Sequence, residues 1–302
     1  MTRFERSLLA VVSAVACAGP LAAADAVQLR PLAAPVYVAE DGSGMLSPEG
    51  VGCGPATLLV ADSGHSRILR YSMGNDDIRA TSRYELPQIP SPIRAVLHPS
   101  GTILALDGKQ RRVGKIGTDG AFAGYLDVRG ADEPMLRSIA VGEAGGDDSI
   151  YLLDLGGARV LVVDLAGELR RTIALPADHG FPADVAVDRA GGVFVLDSVK
   201  RRVFRAAVGE DTFAVFAGDL DDVLVFPLGI AADAAGRLYL ADAHDGAVVV
   251  LGRDGGFRGR HSRMGWGPGL LRYPSGLCVL DDGYVVVADR GNNRVQLFAI
   301  SE

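Results

Sequence analysis

Six copies of one short pattern, about 45 residues apart, predict an all-β chain of 302 residues folded as a six-bladed β-propeller with four-stranded antiparallel blades. Three observations carry this. An apolar strand ending in aspartate recurs at Asp62, Asp107, Asp154, Asp197, Asp242 and Asp289, at intervals of 45, 47, 43, 45 and 47 residues. Five residues after the aspartate comes an arginine in five copies: Arg67, Arg112, Arg159, Arg202 and Arg294, with Ala247 in the fifth copy. Upstream of each aspartate, a further strand is introduced by a proline step in the better copies, at Pro182, Pro227 and Pro274, and more loosely at Pro92.

Residues 1–24 read as a secretory leader. Arg3 and Arg6 precede an apolar run over residues 7–18, and residues 21–24 supply a small-residue cleavage site. The run is too short for a comfortable membrane span, and no later stretch approaches the length of one, so no membrane span is expected. Residues 14–16 before Cys17 faintly resemble a bacterial lipoprotein box, which keeps a lipid anchor through Cys17 as a minor alternative.

Residues 25–302 are then the propeller. Residues 27–32 form a spare strand, and residues 36–39 are expected to be the inner strand of blade one. Residues 41–55, rich in Gly, Ser and Pro, are expected to be an inserted loop. In the better copies Asp188 with Gly191, and Asp233 with Gly236, make the turn from the inner strand to the second, because glycine supplies the positive φ such turns need. A weaker outer strand, such as residues 169–175, completes a blade. The last copy supplies only three strands, so residues 27–32 should pair with residues 295–300 and close the ring.

The consensus Φ-P-x-G-Φ-A-Φ-D followed by Φ-x-Φ-A-D-x-x-N-x-R-Φ closely resembles the NHL repeat. The best copy is residues 273–298, with Asp289, Asn292, Asn293 and Arg294 in the turn; the second and fourth copies lack the turn asparagine. The resemblance implies an interaction role, since NHL-like propellers generally serve one. It also brings two enzyme families into view. Amidating lyases of similar fold hold zinc through histidines near inner-strand starts, where this chain has Arg94, Ser138, Asp184, Gly229 and Gly276. Gluconolactonases hold a divalent metal through Glu, Asn and Asp in the channel, and that set does not assemble from these repeats.

The Asp/Arg series is expected to be scaffold, because a task repeated in nearly every blade is structural: the aspartate accepts turn N–H groups and the arginine pairs with it. His65, His179 and His244 fall in loops at one end of the ring, but they come from blades one, four and five and form no metal-binding spacing, so no metal is expected. The channel mouth at that end carries Arg94, Arg137 and Asp184 beside Ser138, Gly229 and Gly276. The glycines suggest room for a ligand and the arginines suggest an anion. An Arg–Asp pair across the channel with no ligand is the equal alternative. His65, Arg94, Arg137, His179, Asp184 and His244 are therefore the candidate ligand-binding residues. Cys53 and Cys278 are expected as free thiols, although export permits one disulfide. Trp266 is expected to pack under its own loop.

The net charge is −7, and no basic run is present, which argues against nucleic acid as a partner. No catalytic set or G-x-S-x-G elbow is found, and no cofactor is expected. The expected function is a non-catalytic module, periplasmic or secreted, monomeric or part of an envelope complex, binding a protein, peptide or glycan. The alternative is a metal-dependent propeller enzyme, lactonase-like or amidating-lyase-like.

Overall fold

The structure, a computed structural model, describes residues 26–32, 35–74, 78–142, 148–280 and 283–301. The leader and Cys17 lie outside the described residues. Six four-stranded antiparallel sheets form the blades of a ring. Blade four shows the plan: Pro182–Val187 is the inner strand, followed outward by Val193–Asp197, Arg202–Ala206 and Ala214–Ala217. A blade with two apolar faces cannot be buried alone. The core is accordingly divided into clusters between neighbouring blades, one of them made by Leu59 and Ile68 of blade one with Ala95, Ile103, Ala105 and Ile116 of blade two. At about 25 cal/mol per Å² of apolar area, this mutual burial is the main favourable term.

Ring closure follows the sequence expectation. Gln28–Pro31 pairs antiparallel with the third strand of blade six, Gln28 opposite Ser301 and Pro31 opposite Phe298. This supplies the fourth strand and covers an edge. A second fastening was not expected: Cys53 and Cys278 form a disulfide, with Cα atoms 5.6 Å apart. It joins the inner strands of blades one and six, across the seam that the N-terminal strand seals. The free-thiol expectation is thus corrected.

Blade one also departs from expectation. Its inner strand is Pro48–Gly54, inside the segment read as a loop. Residues 36–39 belong to the connection before it, where Val36 pairs with Val295 of blade six. Glycine misled the reading, because these glycines serve close approach, not turning. A Cβ on Gly50 would sit 2.4 Å from the Ile93 carbonyl oxygen, and one on Gly52 would sit 2.1 Å from that of Ala95.

The six aspartates are buried, none more than 1% exposed. Each accepts an N–H from the loop that leads into the inner strand of its own blade. Leu46 donates to Asp62 at 2.7 Å, Ser91 to Asp107 at 2.7 Å, Met135 to Asp154 at 2.8 Å and Arg272 to Asp289 at 2.6 Å. Asp197 and Asp242 each take two such bonds, from Gly180 and Phe181 and from Val225 and Phe226. The arginine is less uniform. Arg67, Arg159 and Arg294 lie 2.7, 2.8 and 2.6 Å from their aspartates. Arg202 stands 3.9 Å from Asp197 and pairs with Asp178 instead, while Arg112 pairs with Asp127 and lies over the Tyr125 ring. The aspartate therefore pins the entry loop in every blade, and the arginine reinforces it in three.

Candidate functional site: the channel mouth

The mouth is built by a repeated irregularity. In blades one to five the inner strand shifts register just after its first residue, between Pro48 and Gly50, Pro92 and Arg94, Leu136 and Ser138, Pro182 and Asp184, and Pro227 and Gly229. A β-bulge adds one residue and re-aims its neighbours. The added residues Glu49, Ile93, Arg137, Ala183 and Leu228, with Ser275 of blade six, line the mouth beside Arg94, Ser138, Asp184 and Arg290. Each blade thus writes one variable side chain onto a fixed frame.

Arg94, Arg137 and Asp184 are brought together as expected of neighbours at one mouth. The two alternatives for them divide. Arg94 reaches across from blade two to blade four, with Nη1 3.1 Å from Asp184 Oδ2. Asp184, whose side chain is 3% exposed, also accepts the Ser138 hydroxyl and the N–H groups of Val185 at 3.0 Å and Ile230 at 2.9 Å. Arg137 has no carboxylate partner among the described residues, and its guanidinium lies 5.9 Å from the centre of the Phe181 ring. Arg94 keeps a buried Nε without a hydrogen-bond partner.

The glycine reading is corrected. A Cβ on Gly229 would lie 3.1 Å from Gly276 Cα, and one on Gly276 would lie 3.0 Å from the Glu49 carbonyl oxygen. That space is filled by the backbones of adjacent inner strands. The space left at the mouth is about 70 Å³.

The three histidines are not part of the mouth lining. His65 lies 3.0 Å from Asp62, His179 Nδ1 lies 3.1 Å from the Gly180 carbonyl oxygen, and His244 stacks on Phe226 with ring centres 4.8 Å apart. They sit in loops outward of the bulges. Among the described residues no group of three His, Cys, Asp or Glu side chains converges as a metal site. The mouth does not fit a divalent metal either, because both Asp184 oxygens are engaged beside the Arg94 guanidinium and the other lining carboxylate, Glu49, lies 3.8 Å from that of Arg290. Trp266 is 71% exposed, contrary to the expected plug, with the Arg272 guanidinium 5.3 Å from its ring centre.

Sequence reasoning missed Glu49, Ile93, Ala183, Leu228, Ser275 and Arg290. The signal was available: Glu49, Ile93, Ala183, Leu228 and Ser275 each fall one place after the aligned proline.

The NHL repeat family matches residues 271–298, the last blade. Among solved structures, the chain is similar to a gluconolactonase from Xanthomonas campestris, with a TM-score of 0.64 and 14% identity over 91% of this chain and 98% of that one. It is similar to a catalytically inactive virginiamycin B lyase from Staphylococcus aureus with quinupristin, with a TM-score of 0.62 and 14% identity over 90% and 99%. It is also similar to the calcium-binding protein regucalcin from Agrobacterium tumefaciens, with a TM-score of 0.63 and 15% identity over 88% and 93%. At such identities the likeness establishes fold, and fold does not carry activity with it. Fold and repeat together make this chain a six-bladed β-propeller whose last blade matches the NHL repeat.

Proposed function

We propose that this chain is an exported, non-catalytic binding module whose channel mouth receives the carboxylate, or an equally compact anionic group, of a protein, peptide or glycan. The observation that carries the reading is the charge of the mouth. Arg94, Arg137 and Arg290 face Glu49 and Asp184, an excess of positive charge in a chain whose net charge is −7. A guanidinium without a carboxylate partner, as in Arg137, suits an incoming anion. A volume of about 70 Å³ admits a head group and not a whole ligand, since ligand pockets usually span roughly 300–1,000 Å³. The partner's remaining bulk must then lie outside.

Export is supported by the leader-like residues 1–24 and by the Cys53–Cys278 disulfide, a bond that persists in oxidising compartments. No helix among the described residues is long and apolar enough to cross a membrane. A metal-dependent enzyme needs free carboxylates at the mouth, and the engagement of Asp184 by Arg94 weighs against it.

Calorimetry with N-acetyl-glutamate and N-acetyl-glutamine tests the reading. The acid should bind and the amide should not, and Arg137→Ala should weaken the acid at least tenfold with little change in Tm. Arg94→Ala is a poorer probe, because it strands the buried Asp184 carboxylate, a defect worth about 3–5 kcal/mol. Equal binding of acid and amide, or binding indifferent to Arg137, contradicts the proposal.

A further inference from the structure

The exposed large apolar side chains of the described residues are distributed unevenly between the two ends of the ring. Met135, Phe181, Val199, Val225, Trp266 and Tyr273 all stand on loops at the mouth end, 37–71% exposed. At the opposite end Val208, in a turn, and Phe257, where an outer strand leaves its turn, are comparable, two against six. These residues form an apolar arc over blades three to six, beside a cationic mouth.

The arc is presented rigidly. Met135 and Phe181 each immediately precede an inner strand, and their N–H groups are held from beneath by Asp154 at 2.8 Å and Asp197 at 3.0 Å. Tyr273 takes a φ of +50°, unusual for an aromatic residue. Neighbouring bonds hold it there: Arg272 N–H donates to Asp289 at 2.6 Å, and Gly291 N–H donates to the Arg272 carbonyl at 2.7 Å. The same turn carries Arg290 into the mouth lining. Mouth and rim are thus continuous through residues 290, 291, 272 and 273. Arg272 lies between the two exposed aromatics, 5.3 Å from the Trp266 ring centre and 5.7 Å from that of Tyr273.

Resting on the proposed anion-binding mouth, we propose that mouth and rim form one docking surface for a polypeptide, which inserts an acidic side chain among Arg94, Arg137 and Arg290 and lays apolar neighbours on the arc of blades three to six. Charge complementarity chooses the inserted residue. Composition chooses the class of partner. Trp, Tyr and Arg are the residues that carry most interface energy, and the aliphatic members Met135, Val199 and Val225 bury apolar side chains, which a sugar does not offer. A mouth too small for a whole ligand, within a broad apolar rim, suits a side chain projecting from a larger body.

An arrayed library of synthetic dodecapeptides with a fixed central Glu and random flanks tests this on the full chain, beside the same library with central Gln, an oligogalacturonate and N-acetyl-glutamate. Glu-centred peptides with apolar flanks should be enriched over Gln-centred ones and should bind at least tenfold more tightly than N-acetyl-glutamate. Trp266→Ala, at a site exposed enough to spare the fold, and Trp266→Ala with Tyr273→Ala should remove most of that gain. Circular dichroism and Tm report folding of each variant. The proposal is overturned if the gain survives both variants, or if oligogalacturonate binds and no peptide does; in either case N-acetyl-glutamate binding would leave the anion-binding mouth standing. If N-acetyl-glutamate also fails to bind, both readings fall together.

Discussion

The two ends of the ring use aspartate differently. At the end away from the mouth, Asp188 and Asp233 close their own turns: Gly192 N–H donates to the Asp188 side chain at 2.8 Å, and Ala235 and Arg237 N–H groups donate to that of Asp233 at 2.9 Å. Gly191 and Gly236 take the positive φ these turns require, +83° and +79°. Such turns satisfy themselves and present little outward. At the mouth end the six strand-terminal aspartates lie beneath the entry loops and hold them through backbone N–H groups, and Asp107, Asp154 and Asp197 also accept N–H groups of the turn that follows. The side chains of those loops remain free to vary. The lesson is that a rigid loop and an available side chain are compatible when the anchor comes from below.

The comparison predicts unequal costs for removing the anchors. Asp289 accepts Arg272 N–H, Asn292, Arg294 and Gln296, and Arg294 is only 2% exposed. Asp289→Ala therefore leaves a buried cation uncompensated and should cost about 3–5 kcal/mol. Asp242 holds two N–H groups and has Ala247 where the other blades have arginine. Asp242→Ala should cost less, about 1–3 kcal/mol. Urea unfolding of both variants checks this; equal losses would show that the arginine adds nothing to the anchor.

The seam between blades one and six gives the next effect. Replacing Cys53 and Cys278 together by Ser should lower stability by about 2–4 kcal/mol. Deleting residues 27–32 should lower Tm by several degrees, since about 1 kcal/mol shifts a domain of this size by a few degrees. Both changes should act on stability and leave the mouth chemistry intact. An unchanged Tm on deletion would contradict the role given to the closing strand.

The smallest effect is a pH dependence beside the same strand. Burial lowers the His261 pKa below its ordinary 6.5, and the nearby Val27 carbonyl opposes this only in part. The unfolded chain then takes up a proton that the folded chain resists as pH falls through 6.5, so stability contributed by neutral His261 is complete above that pH and declines below it. Tm measured at pH 7.5 and 5.5 should fall more in the native chain than in His261→Gln. Parallel falls would remove His261 from the account.

The fold was legible because the repeat states it six times: a strand ending in Asp, a turn and a strand beginning with Arg recur with little variation. Ring closure was legible as a strand count. Blade one was not, because Gly50 and Gly52 resemble turn residues when their true constraint is the backbone of blade two. The disulfide was hidden for the same reason, with Cys53 read into a loop. The mouth was half legible. Arg94 and Asp184 stand at aligned positions and Arg137 beside the aligned Ser138, but a bulge brings the preceding neighbour to the mouth as well, and no residue type announces it. The histidines attracted notice by chemistry, while register placed them outside the lining. Trp266 required a structure, since exposure cannot be read from a glycine-rich loop.

The central claim is that the mouth end binds and the opposite end does not. Backbone NMR of the labelled protein titrated with N-acetyl-glutamate tests it most directly. The account predicts shifts confined to the mouth, at Ile93, Ser138, Ala183 and Leu228, with Asp233 and Gly236 still. Shifts at Asp233 and Gly236 with the mouth unmoved would contradict it.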